Sequence, residues 1–252
     1  MDLRYEERGK GPVLLLVHGF PLDRRVWDEQ VSALADAFRV VAVDLRGFGQ
    51  STSAEPFTIE SLGDDLHALV QKLGGPVVLA GLSMGGYVAL GYARKHPADL
   101  RALALVDTKS DADTPDGRQG RMKMIEAVRA GGSKAVADAM MPRMLAPDAA
   151  AGRPQLTRRL RQIMEACPPL TIEHALLAMR DRPDYNDDLP RIKVPTLIIV
   201  GESDQITPPA LAQAMHSRMP GSKLAIIKGA GHMSPMEQPE QVNRALREFL
   251  RL

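Results

Sequence analysis

A serine stands between glycines in Gly81-Leu82-Ser83-Met84-Gly85. The apolar run 77–80 before it reads as a buried strand, and residues 84–95 after it as a helix. A sharp strand-to-helix turn exposes a serine hydroxyl above a sheet, and flanking glycines let neighbouring backbone come close. The free N–H groups of the helix start add a positive dipole beside it. Ser83 is therefore the candidate nucleophile, with a plain helix N-cap as the bland alternative. Such a hydroxyl attacks only when a base takes its proton. The candidate base is His232, in Gly229-Ala230-Gly231-His232, and its glycines predict a mobile, unobstructed loop. His67, His96 and His216 fall on or beside polar helix faces and read as solvated, while His174 reads as packing.

An imidazole base needs a carboxylate to hold its tautomer and stabilise its charged form. Asp204, in Gly201-Glu202-Ser203-Asp204 after the run 196–200, is the candidate; Glu202 and Asp107 compete for the role. An oxyanion also needs two N–H donors. One is the backbone N–H of Met84, directly after the serine. The other is Phe20 N–H, in His18-Gly19-Phe20-Pro21. His18 props that loop, and the Phe20 ring either lines an acyl pocket or fills the core. Met84 and Met233 flank these elements and are candidate substrate contacts together with Phe20. The chemistry is a two-step acyl transfer that needs no metal and no organic cofactor.

These residues must be held by a scaffold. Short apolar runs at 13–17, 39–43, 77–80, 100–106, 196–200 and 224–227 alternate with helical spacing at 26–38, 59–73, 84–95, 209–218 and 239–250. Residues 3–8 read as an edge strand. Unbroken apolar runs are typical of strands buried on both faces, so the fold class is α/β, a mostly parallel sheet with helices on both sides. Every candidate residue follows a strand, which is where such sheets bind ligands. From 108 to 189 the strand pattern stops, and helical stretches appear at 121–129, 156–165 and 172–179. The expected organisation is a core of residues 1–107 and 190–252, with 108–189 as a helical cap inserted before the last two strands.

The 252 residues carry a formal net charge of +1, with no basic stripe, so nucleic acid is not an expected partner. One cysteine excludes an intrachain disulfide, and no apolar run is long enough to span a membrane. The chain reads as a soluble cytoplasmic protein acting on a small molecule.

Five segments together carry a family resemblance: His18 to Pro21, Asp44-Leu45-Arg46-Gly47-Phe48-Gly49-Gln50-Ser51, Gly81 to Gly86, Gly201 to Asp204, and Gly229 to His232. Over essentially its full length the sequence resembles the α/β-hydrolase superfamily. The resemblance implies Ser83, Asp204 and His232 as a catalytic triad, Phe20 and Met84 as N–H donors, and 44–51 as a structural loop. The N-terminus is shorter than the family's usual hairpin, so one edge strand is expected to be missing. Serine at position 83 argues against haloalkane dehalogenases and epoxide hydrolases, which carry aspartate there. Gly-Leu-Ser-Met-Gly-Gly and Thr207-Pro208-Pro209 resemble serine esterases and 3-oxoadipate enol-lactonases; carbon–carbon bond hydrolases and cofactor-free perhydrolases or haloperoxidases share much of the set.

The expected function is hydrolysis of carboxylic esters of small to medium acyl groups through an acyl-enzyme on Ser83. Lactonase, perhydrolase and non-catalytic ligand-binding readings are the alternatives. Substrate choice should lie in the cap, whose methionines (Met122, Met124, Met140, Met141, Met144, Met164 and Met179) line a plastic pocket or pack the cap. Its arginines, among them Arg121, Arg129, Arg143, Arg158, Arg159 and Arg161, form a solvated face or supply one partner for a substrate carboxylate.

Overall fold

The computed structural model describes residues 2–250. Seven strands form one sheet: β1 (Tyr5–Arg8), β2 (Val13–Val17), β3 (Arg39–Val43), β4 (Val77–Leu82), β5 (Leu100–Val106), β6 (Thr196–Gly201) and β7 (Lys223–Ile227). Their spatial order is β1-β3-β2-β4-β5-β6-β7. Only β1 runs antiparallel, pairing with β3, and it closes one edge alone. The central strands bury every residue, as their unbroken apolar sequences require.

The core-covering helices are α1 (Asp28–Leu34), α2 (Ile59–Leu73), α3 (Met84–Lys95) and, nearer the C-terminus, α8 (Pro209–Arg218), α9 (Ser234–Glu237) and α10 (Pro239–Leu250). Between β5 and β6 lie α4 (Pro115–Met144), α5 (Pro147–Gly152), α6 (Pro154–Glu165) and α7 (Pro169–Asp181). Local signals explain many boundaries. Thr58 and Ser61 form a reciprocal cap on α2, and left-handed Gly74 ends it. Proline opens each of α4 to α7 and α8 in the first turn, where its missing N–H costs nothing.

Some boundaries differ from the sequence reading. The helix expected over 26–38 starts as a 3-10 turn, Arg24–Trp27, because Asp23 accepts from Arg25 N, and α1 already ends at Leu34. The strand expected over 77–80 continues through Gly81 and Leu82, paired with β5. The short stretch 121–129 is part of the much longer α4. The glycine punctuation read in the sequence is real at Gly132, whose backbone (φ 66°, ψ −164°) leaves the helical region, so α4 is two helical segments meeting there, while Pro142 is accommodated inside the second. No helix of the described residues is long and apolar enough to cross a membrane.

Candidate active site

β4 sits in the middle of the sheet, between β2 and β5. The chain leaves it at Ser83, whose φ of 52° and ψ of −114° lie outside the regions ordinary residues prefer. Strain of this kind persists only where the surroundings hold it. Here they do. Ser83 N donates to Val106 O at 2.9 Å, and its carbonyl accepts from Gly86 N at 2.8 Å and Thr108 Oγ1 at 2.7 Å. Ser83 makes no side-chain cap bond to α3, so the bland N-cap reading does not describe it. Its hydroxyl is free for other work.

The small residues around it are steric requirements. A Cβ on Gly81 would lie 2.2 Å from Gly85 O, and one on Gly86 would lie 2.4 Å from Thr108 Oγ1. Gly81→Ala must therefore push strand and helix apart. The expected cost is about 3 kcal/mol of stability. In a chain of this size that lowers Tm by roughly 8 °C, readable by thermal denaturation. An unchanged Tm would contradict the close approach.

His232 Nε2 lies 2.9 Å from Ser83 Oγ, and its Nδ1 lies 2.8 Å from Asp204 Oδ2. Sequence positions 83, 204 and 232 thus meet in one hydrogen-bonded row. Asp204 is held by its own loop: Oδ1 accepts from Ile206 N (2.8 Å) and Thr207 N (2.9 Å), and Oδ2 from Thr207 Oγ1 (2.7 Å). Burial pushes the Asp204 carboxyl up, but His232 and the Thr207 donors outweigh it and hold it below the usual carboxylate range. His232 is the mirror case. Burial pulls its pKa down, and the Asp204 carboxylate beside it more than reverses this, leaving it above 6.5. Ser83 keeps partial exposure while His232 is only 2% exposed, so a substrate meets the hydroxyl first.

A base must be neutral to accept a proton. Because the His232 pKa is raised, kcat/KM on an ester should climb with pH and inflect above pH 6.5. A profile measured from about pH 5 to about pH 9 with an inflection below 6.5 would contradict the ion pair.

The loop after β2 lies against the elbow. A Cβ on Gly19 would stand 3.0 Å from Ser83 Cβ. Among the described residues, neither Phe20 N–H nor Met84 N–H is taken by a protein acceptor. His18 is buried, accepts from Leu45 N at 3.1 Å on Nε2, and donates from Nδ1 to Gly19 O at 2.8 Å. Burial lowers its pKa, so it stays neutral and joins the 44–51 loop to the Gly19 turn. The proposed side-chain contacts need correction. Met84 and Met233 have no exposed surface and Phe20 has 4%, because all three side chains belong to the core beneath the site.

The competitors for the acid role face elsewhere. Glu202 is exposed and accepts from Gly229 N. Asp107 is fully buried, at a φ of 44°, and ties the ends of β5 and β6 to the start of α9: it accepts from Gly201 N (2.8 Å) and from Ser234 N (3.1 Å) and Oγ (2.6 Å). Burial, then the nearby Asp204 charge, push its carboxyl up to about 8.

Two expectations about the histidines fail. The loop of His232 is not unobstructed: a Cβ on Gly231 would lie 2.5 Å from Ala146 N. Glu237 fastens it from both sides, accepting from Gly231 N (2.8 Å) and Met233 N (3.2 Å) on Oε1 and from Ala146 N (2.7 Å) on Oε2. Sequence reading missed Glu237; its signal was a lone charge inside Met233-Ser234-Pro235-Met236-Glu237. His67 and His96 are not simply solvated either. They stack at 4.0 Å, His67 Nδ1 meets Asp99 Oδ2 at 2.7 Å, and His96 approaches Asp64. Among the described residues, His67, His96 and Asp99 are the group that could hold a metal ion. The two rings are parallel within 8°, so their lone pairs do not converge on one point. His216 bonds Ser222 Oγ, and His174 packs edge-on to Phe57.

The arrangement is a strand-to-helix elbow carrying Ser83 at the centre of an α/β sheet, with a hydrogen-bonded carboxylate and imidazole brought to it from the loops after two later strands. That defines an α/β-hydrolase. Residues 14–245 match the family model described as the alpha/beta hydrolase family, and the chain belongs to that family. It is 31% identical to a pimeloyl-[acyl-carrier protein] methyl ester esterase of Neisseria meningitidis, over 98% of this chain and 80% of that protein. A thermophilic esterase from Thermogutta terrifontis superposes with a TM-score of 0.96 at 43% identity, covering 99% of this chain and 93% of that one. The enol-lactonase from Burkholderia xenovorans LB400 superposes with a TM-score of 0.92 at 27% identity, covering 99% and 96%.

Proposed function

We propose that this protein is a serine hydrolase that cleaves carboxylic esters of small to medium acyl groups. The observation that carries the reading is the unbroken row Ser83 Oγ, His232, Asp204, with spacings of 2.9 and 2.8 Å. Ser83 attacks the ester carbonyl while His232 Nε2 takes its proton. Asp204 holds the imidazole by Nδ1 and stabilises its charge. The N–H groups of Phe20 and Met84 receive the developing oxyanion. His232 then gives its proton to the leaving alcohol, and a water it activates releases the acid from Ser83. Residues 108–189 act as the cap that shapes the acyl pocket. The esterases among the relatives support ester cleavage. Lactone cleavage is the second reading, favoured by the enol-lactonase likeness, and follows the same steps on a cyclic ester.

A panel of p-nitrophenyl esters and simple lactones, run beside labelling with a fluorophosphonate, tests this. Turnover of short esters and one phosphonyl group per chain, on Ser83 by peptide mass, are expected. No turnover on the panel and no adduct would overturn it, and tight ligand binding without turnover would replace it with a binding role.

A further inference from the structure

The backbone on either side of His232 is held at several points. Ser203 N donates to Ala230 O at 2.9 Å. Gly231 N and Met233 N, the N–H groups that flank His232, both donate to Glu237 Oε1. Ser234 donates to Asp107 through both N and Oγ. Glu237 N donates back to Met233 O at 2.9 Å, which closes 233–237 into one turn. Among these anchors, Glu237 is the one that also reaches the cap.

It reaches the cap twice. Glu237 Oε2 accepts from Ala146 N at 2.7 Å, directly before α5, and Glu237 O accepts from Arg153 Nη1, directly after α5. Both ends of α5 are thus bonded to one residue, by its side chain and by its carbonyl. Leu145 and Ala146 form an extended joint between α4 and α5 (ψ 152° and 145°), and both are buried. The Gly231 backbone packs against that joint, since a Cβ there would also lie 2.7 Å from Leu145 C. A close-packed joint of this kind cannot shift without moving Gly231 or Glu237. Glu237 itself is fully buried, and both its oxygens accept from neutral backbone N–H groups. A buried carboxylate is costly unless a charge meets it. His232 becomes that charge when it takes the serine proton. Against burial, which lowers it, Asp204, Asp107 and Glu237 raise the His232 pKa. Burial raises Glu237, and its backbone donors and then His232 oppose that rise.

We propose that Glu237 is a positioning residue for His232, and that through it the cap helix α5 sets the aim of the base. Seating α5 and aligning His232 Nε2 on Ser83 Oγ are then one event, so the cap acts on the chemical step as well as on the choice of substrate. The inference rests on the ester-hydrolase reading above. Glu237 has no exposed surface to offer a substrate, and it works by fixing residues 231 and 233.

The test compares variants of the full-length protein on p-nitrophenyl acetate and with a small fluorophosphonate, beside thermal melts. In Glu237→Gln one acceptor oxygen remains, so the bonds to Gly231, Met233 and Ala146 cannot all be kept. Its kcat and its rate of Ser83 labelling should fall together by about a hundredfold, the effect of misplacing a base by about 1 Å, with KM within about twofold of wild type. The kcat/KM inflection should move to lower pH, because a negative charge that raises the His232 pKa is gone. Arg153→Met leaves the carboxylate untouched and cuts the tie at the far end of α5, so kcat should fall several-fold with KM again unchanged. Leu66→Ala, a truncation in the core on α2, should lower Tm and keep kcat. A Glu237→Gln protein with a lower Tm but native kcat, labelling rate and inflection overturns the positioning role, because a merely structural residue behaves like Leu66. Native kcat in Arg153→Met overturns the coupling to α5, and this exposed position decides it even where Glu237→Gln does not fold. Wild-type protein with neither turnover nor labelling overturns the hydrolase reading itself, and this inference with it.

Discussion

Ser83→Ala should lower kcat on a p-nitrophenyl ester by roughly a million-fold, because the other triad groups have nothing to activate once the hydroxyl is gone. The residual rate should reflect only binding and the Phe20 and Met84 amides. The variant should still fold. Ser83 contributes its backbone to the elbow through bonds to Val106 O, Gly86 N and Thr108 Oγ1, and none of these uses its side chain. Alanine keeps all of them. Steady-state kinetics and a thermal melt separate the outcomes: full loss of activity with a near-native Tm is expected. Retention of a tenth of the activity would remove Ser83 from the chemistry.

Asp204→Asn should cost roughly ten-thousand-fold in kcat, with the site geometry nearly intact. Asp204 Oδ2 accepts from His232 Nδ1, which leaves Nε2 free to take the serine proton. An amide nitrogen at that position donates instead and favours the other tautomer. Then Nε2 carries the hydrogen and cannot act as base. The pH profile supplies a second readout. The Asp204 charge is the leading influence raising the His232 pKa against burial, so removing it should move the inflection downward. Whatever activity persists should therefore titrate at lower pH than in wild type. A variant with near-native kcat would point to a second buried carboxylate near His232, Asp107 or Glu237, as the working acid. An unshifted inflection would show that His232 does not feel the Asp204 charge.

Much of the fold could be read from short stretches. The run Val13–Val17 and, after Arg39, residues 40–43 are uniformly apolar, which suits strands covered on both faces. The alternation with helices then implies a parallel sheet. The candidate site was legible for the same reason. Ser83, Asp204 and His232 each stand just past a strand, and all strand ends but that of β1 point to one face of a parallel sheet.

Other features depend on contacts that no short stretch encodes. Glu237 looks like a surface charge at the start of a helix, yet folding buries it against Gly231 and Ala146, the latter 91 residues away. The glycines before His232 suggested freedom, and neighbouring backbone turned them into requirements for close packing. Met84 and Met233 were placed near the substrate by their sequence neighbours, but their side chains point into the core.

Ser83 and its two partners were set by chain-local chemistry: a residue type, a tight turn and a preceding strand. Periodicity also settled the class of fold, because burial on both faces leaves a mark on every residue of a strand. Packing decided the rest. The course of α4, the clamp of Glu237, and the division of labour between Asp107 and Asp204 arise where distant segments meet. Charge and burial at such places belong to pairs of residues, and a single position in the chain carries no trace of its partner.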